Sequence, residues 1–330
     1  MKILIQKIME AIERGESAVL CTVLASSGSA PRGAGARMAV FADGTALGTV
    51  GGGRVELLAA RDAKEILKGG EDCVRDRLRA FDLTPNDVNS IGMVCGGKVS
   101  IYYQLVTEAD MPTLCAIRDA LKKDENSWLY LRARDGLVEK FTVVTEAEAK
   151  EQPELFQNRA VYCKGEPLVY TEPLVQAGQV YIFGGGHVGQ ALVPVLAGVE
   201  FRVTLFDNRP ELANQERFPM ANRVILGDYK HICDYVTLKP QDYVVIMSPG
   251  HQSDFALLEQ ALRFPLRYVG CIGSRQKIAR SQEMLRNAGI PEDVIQSVHS
   301  PIGLNIRAQT PAEIAISIAA EMILCRAESL

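Results

Sequence analysis

No apolar run in this 330-residue chain reaches the roughly 18 residues of a membrane span, which excludes an ordinary transmembrane helix. No long basic run is present and the net charge is −4, so the electrostatic footprint of a nucleic-acid binder is missing. The cysteines Cys21, Cys73, Cys95, Cys115, Cys163, Cys233, Cys271 and Cys325 nowhere form C-x-x-C and are scattered along the chain. That spacing argues against a zinc cluster and, in a reducing compartment, against disulfides; most are expected to be small buried hydrophobes. The first residues do not read as a secretory leader. Leu4, Ile5, Ile8, Ala11 and Ile12 mark one face of an amphipathic helix, with Glu10 and Glu13 off it, and a cytoplasmic protein is expected. No Ser-His-Asp order, metal-ligand motif or pair of carboxylates stands out, so the residues by themselves name no reaction.

What is present is an apolar content of 47%, enough for sizeable cores, in a length that suggests two domains. The stretch from Val180 to Asp207 organises the second. Val180 to Phe183 has the pattern of a strand buried on both faces. Gly184, Gly186 and Gly189 follow at the spacing G-x-G-x-x-G, for a tight turn, a close backbone approach to a pyrophosphate, and close helix–strand packing. Val188, Leu192, Val195 and Leu196 then fall on one helical face, and Gly198 is expected to end that helix. Pro194 conflicts with this helix, which must kink or have other bounds. A strand from Phe201 to Phe206 ends in Asp207, where the acid that binds a ribose hydroxyl is expected. The pattern predicts a Rossmann βαβ unit; the plainer alternative is the same unit with an empty glycine turn.

Strands continue at Asn222 to Leu226, Asp242 to Met247 and Tyr268 to Ile272, followed by Gly227-Asp228-Tyr229, Ser248-Pro249-Gly250-His251 and Gly273-Ser274-Arg275. Helices are expected at Asp254 to Arg263, from Arg275 to Ala288, and from a capping box at Thr310 to about Ala327. Ligands of open parallel sheets bind beyond the carboxyl ends of strands. Gly184, Gly186, His187, Gly189, Asp207, Ser248, Gly250, His251, Gly273, Ser274 and Arg275 should therefore converge on one crevice. His231 and His299 lie in less informative settings.

The first 177 residues read as a mixed α+β domain with an antiparallel extension, and the boundary falls near Gln176 to Gly178. Strands are expected at Ala18 to Leu24, Met38 to Phe41, Thr45 to Val50, Val74 to Phe81 and Val99 to Val106. The irregular Ser26 to Arg37 stretch holds Arg32, a candidate cofactor contact. Gly51, Gly52 and Gly53 open a helix to about Leu67, and their N–H groups with the helix dipole would make an anion site, unless the turn is simply tight and empty. A helix over Pro112 to Lys123 and a hairpin around Asp135-Gly136 complete the extension, with short strands in Ala160 to Val175. Cys95 sits among paired glycines close to Lys98, which would lower its pKa; a buried inert thiol is the alternative.

Several motifs occur in order: Ser-Gly-Ser-Ala-Pro-Arg at 27–32, Gly-Thr-Val-Gly-Gly-Gly at 48–53, Cys-Gly-Gly at 95–97, Gly-Gly-Gly-His-Val-Gly at 184–189, Gly-Ser-Arg at 273–275, Pro-Ile-Gly-Leu at 301–304 and Thr-Pro-Ala-Glu-Ile-Ala at 310–315. In them the chain closely resembles the XdhC/CoxI family of xanthine dehydrogenase accessory proteins, across both domains. The resemblance implies an XdhC/CoxI-type amino-terminal domain before a Rossmann domain. It implies a chaperone that binds molybdenum cofactor, as molybdopterin or its dinucleotide, and helps deliver it matured to a molybdenum hydroxylase. It also implies a cofactor-sulfurating desulfurase as partner, admits a homodimer, and makes Cys95 the candidate contact to molybdenum or its dithiolene sulfurs. Two departures matter. Arg54 stands where many members have cysteine, which removes the second thiol from any two-thiol handling and points to an altered cofactor form or a divergent partner. Pro249 stands where many have arginine. Two other readings stay open: an NAD(P)-dependent oxidoreductase using the same crevice, with Asp207 favouring a 2′-hydroxyl or Arg209 accepting a 2′-phosphate, and a nucleotide-sensing regulator without catalysis.

Overall fold

The computed structural model describes residues 1–27, 33–69, 78–82 and 97–328, the side chains of His251 and Arg275 excepted. The chain divides into two compact units, Met1–Gln176 and Ala177–Leu330.

In the first unit, α1 (Lys2–Glu13) precedes β1 (Ala18–Ser27), β2 (Arg37–Phe41), β3 (Ala46–Gly48), α2 (Gly53–Leu67), β4 (Leu78–Asp82), β5 (Lys98–Val106) and α3 (Met111–Ala120). The strands form an antiparallel sheet in the order β3-β2-β1-β5-β4. Alternation along β1 sorts its side chains between two cores. Val19, Cys21 and Val23 pack with Val55, Ala59 and Ala63 of α2, while Ala18 and Leu20 pack with Ile5, Ile8 and Ile12 of α1. Next come β6 (Ser127–Arg134), β7 (Leu137–Thr145), α4 (Glu146–Ala149), β8 (Val161–Cys163) and β9 (Leu168–Val175), whose strands form a second antiparallel sheet, β7-β6-β9-β8. The Asp135-Gly136 turn joins β6 to β7 with both residues at positive φ.

The second unit alternates β10 (Gln179–Phe183), α5 (His187–Gly198), β11 (Arg202–Asp207), β12 (Arg223–Leu226), β13 (Tyr243–Ile246), α6 (His251–Ala261), β14 (Tyr268–Cys271), α7 (Arg275–Asn287), α8 (Glu292–Gln296) and α9 (Pro311–Glu328). Its sheet is parallel throughout, in the order β12-β11-β10-β13-β14. Such a strand order reverses direction between β10 and β13, which opens a crevice at their carboxyl ends. Val180 and Ile182 face a core shared with α5 and α9, and Tyr181 and Phe183 face one shared with α6 and α8. Burial on both faces explains the unbroken apolar runs.

Three local details differ from expectation. Pro194 stays inside an unbroken α5, on its exposed side, where water can take the acceptor left by the missing N–H. Gly198 ends α5 as expected, but the left-handed residue of its cap is Glu200 (φ 66), not a glycine: its N–H donates to Ala197 O while Phe201 N donates to Leu196 O. That is a Schellman arrangement with glutamate where glycine is favoured. The short helix α8 has no counterpart in the sequence pattern.

A glycine-turn crevice at the carboxyl edge of the parallel sheet

A continuous series of contacts runs across the carboxyl edge. Gly184 N donates to Phe206 O, and Met247 N donates to Phe183 O, so the backbone ladder extends past the strand ends. Gly184 has φ 128, and a Cβ there would strike the Met247 carbonyl. A Cβ on Gly189 would strike the Gly184 carbonyl. The chain's own fold therefore requires glycine at both positions. Gly186 differs. It caps α5 with an ordinary φ of −69, and a Cβ built on it meets nothing within 4 Å. Gly250, the cap of α6, is the same, with φ −139 and open space around its Cβ. No packing or backbone reason holds glycine at these two helix starts, and both leave open space where a side chain would stand. No acid occupies the first turn of α5 or α7.

Asp207, at the end of β11, is fully buried. Its Oδ2 accepts from Gly185 N (2.6 Å) and Arg209 Nη2 (2.8 Å), and its Oδ1 from Arg209 N (2.9 Å) and Nε (2.8 Å). Burial opposes the charge, but the bonds from the Arg209 side chain and the two backbone N–H groups outweigh it and hold the carboxyl below the usual range. The ribose-binding position foreseen for this acid is thus filled by the chain itself: a fully buried carboxylate with four donors has no face left for a hydroxyl.

Beyond Met247, Ser248 Oγ donates to Asp254 Oδ1 (2.5 Å), and Lys277 Nζ reaches Asp254 Oδ2 (3.1 Å). A Cβ on Gly273 would touch the Lys277 side chain at 3.5 Å, and Ser274 Oγ accepts from Lys277 N to cap α7. Asp254, Lys277 and Cys271 line a small cavity of about 20 Å³ behind these strand ends, the room of a single water. Burial pushes the Cys271 thiol up to about 12, so it is a packing residue there. Asp254 and Lys277 escaped the sequence reading. Their only signal was an acid in the first turn after Gly250 and a lysine three residues past Ser274; the contact itself depends on α6 lying beside α7.

The expected site residues of the second unit therefore do converge in part. Gly184, Gly186, Gly189, Asp207, Ser248, Gly250, Gly273 and Ser274 share this edge. His187, the first residue of α5, is exposed. His251 and Arg275 start α6 and α7. His299 stacks on Tyr268 and pairs with Glu321.

In the first unit the triple glycine has a different occupant from the one foreseen. Glu56, in the first turn of α2, accepts from Thr49 Oγ1, Val50 N (3.3 Å) and Gly52 N (3.1 Å), while Gly51 N donates to Thr49 Oγ1 (3.1 Å). The anion held by the N–H groups of Val50 and Gly52 is the chain's own carboxylate. Arg32 and Cys95 lie outside the described residues. Of the described cysteines, Cys21 and Cys271 are buried and Cys115 and Cys325 half-buried, while Cys163 and Cys233 are exposed. No group of three or more His, Cys, Asp or Glu among the described residues could hold a metal. No helix among them is long and apolar enough to cross a membrane.

Comparison with known proteins places this arrangement. Residues 11–77 match the model of the XdhC and CoxI family, and residues 180–322 that of the XdhC Rossmann domain. A crystal structure from Bacillus halodurans, described as a xanthine dehydrogenase, superposes with a TM-score of 0.82 at 26% identity, covering 99% of this chain and 96% of that one. A Bacillus subtilis (strain 168) protein, named as a probable subunit of xanthine dehydrogenase, is 25% identical over 96% of this chain and 95% of its own length. The molybdenum cofactor insertion chaperone PaoD of Escherichia coli (strain K12) is 22% identical over 96% of this chain and 86% of its own. An uncharacterised Escherichia coli protein, YqeB, is 24% identical, and the matched region spans only 42% of it. The chain belongs to the XdhC/CoxI family, with a Rossmann domain as its second unit.

Proposed function

We propose that this protein is an accessory chaperone that binds molybdenum cofactor and assists its maturation and insertion into a xanthine dehydrogenase-like molybdenum hydroxylase. The observation that carries the reading is the open space over Gly186. A glycine that the fold does not need, capping a helix at the switch point of a parallel sheet, suits an anionic phosphate close to the backbone. The molybdenum cofactor carries such a phosphate on the methylene arm of its pyran ring. The names of the relatives, one of them a cofactor insertion chaperone, agree with the reading. Cys95 is assigned as the soft contact to the metal or dithiolene end on the family resemblance. The client enzyme and the desulfurase that sulfurates the cofactor are the partners this role requires, and the protein acts in the cytoplasm. The test compares molybdopterin content and melting temperature of the parent, Gly186→Val and Cys95→Ser proteins prepared alike. Content should fall in both variants while melting is retained. Undiminished cofactor in Gly186→Val would remove the crevice from the binding site, and undiminished cofactor in Cys95→Ser would make that thiol a bystander.

A further inference from the structure

Resting on that reading, we infer that the β11 end of the crevice recognises a phosphomonoester through Arg209 and rejects a ribose diol. The cofactor form selected is then molybdopterin itself rather than its dinucleotide. Three observations carry this. The acid that would read a ribose is fully buried, and both of its oxygens are taken by Gly185 N and by the backbone and side chain of Arg209. The same bonds fix the guanidinium edge-on: Nε and Nη2 each give one N–H to Asp207, which leaves three of the five N–H groups of Arg209 with no acceptor among the described residues. The Arg209 side chain remains 32% exposed although its partner Asp207 is not exposed at all, so the edge given to Asp207 is its buried one and the side chain still reaches solvent. A planar fork held in place loses little freedom on binding and matches the oxygens of a phosphomonoester. Asp207 is in this view a positioning residue and Arg209 the specificity-determining one. A pyrophosphate that continues into a nucleoside would bring a ribose to a carboxylate that has no acceptor site left for it.

Fluorescent oxidised pterin released from molybdopterin provides the probes, in three forms: with its phosphomonoester, after phosphatase removal of the phosphate, and as the cytosine dinucleotide. Binding to the full chain is titrated by fluorescence in the parent, Arg209→Gln, Arg209→Lys and Gly186→Val proteins, with melting temperature as the folding control. The phosphomonoester should bind the parent about tenfold more tightly than either other form, the worth of one charge-assisted pair. Arg209→Gln should bring the three forms within about twofold of one another, and Arg209→Lys, a point charge without a fork, should lie between. A dinucleotide that binds as tightly as the monoester, or a preference that survives Arg209→Gln, overturns the inference while leaving the crevice reading intact. Binding that is unchanged in Gly186→Val sinks the crevice reading itself, and no binding of any probe sinks both.

Discussion

A glycine means different things at neighbouring positions of one turn. Gly184 and Gly189 are held by the fold, because a Cβ would collide with the backbone carbonyls of Met247 and Gly184. Either one replaced by alanine should destabilise the second unit by about 1–3 kcal/mol, read as a lower urea midpoint. Gly186→Val should leave that midpoint near the parent value, because its Cβ meets nothing, and should abolish ligand-induced stabilisation. For a ligand at about 100 times its dissociation constant, that stabilisation is roughly 2.7 kcal/mol in the parent. The spacing of the three glycines was legible in the sequence, but their division into two that the fold requires and one that it does not was not, since it depends on what passes each Cα in space. Asp207 carries a second prediction at this scale. Its pKa is depressed in the folded protein, so its contribution is present above the unfolded value of about 3.9 and is lost as pH falls through the lower folded value. Urea midpoints should therefore drop below about pH 4, and the Asp207→Asn variant should be less stable at neutral pH and show a shallower acid slope. An unchanged slope would mean that the carboxylate contributes nothing to folding.

At the scale of elements, two helix ends store or relieve strain in ways that sequence patterns blur. Helix α5 ends at Gly198, where the pattern marks it, but its cap turns on Glu200 at φ 66, two residues later and not a glycine. The closing contact is set by Phe201 and Leu196, both in the core, which fix where the chain must turn. Glu200→Gly should raise stability by about 0.5–1 kcal/mol by removing a left-handed non-glycine residue, measurable as a higher melting temperature. Helix α2 starts the other way. Glu56 reaches back over the triple glycine to Thr49, Val50 and Gly52, and Glu56→Ala should cost about 1–2 kcal/mol by leaving these donors without their acceptor. A phosphate analogue that restored this loss would show that the turn accepts an external anion when its own is removed. Strand and helix positions in the second unit were legible, because buried parallel strands and amphipathic helices write strong periodic patterns. The acid four residues after Gly52 was also visible, but its folding back onto the turn was not.

At the scale of the whole molecule, each hydrophobic core among the described residues draws its members from one unit: four from Met1–Gln176 and two from Ala177–Leu330. A segment of residues 177–330 should accordingly fold by itself and melt cooperatively by circular dichroism; a broad, non-cooperative melt would show that its cores depend on the first unit. The amino-acid sequence by itself determined that the second unit is a parallel α/β sheet with a glycine turn after its first strand, because apolar runs, glycine spacing and helical periodicity are local properties of the chain. It also placed an acid at the end of β11. Only the tertiary structure decided what that acid does. The pairing of β10 with β11 brings Gly185 N to the Asp207 carboxylate, and the turn after β11 folds Arg209 back onto it. Whether a side chain faces a ligand or another part of its own chain is set by which strand ends lie side by side, and the spacing of residues along a sequence does not contain that.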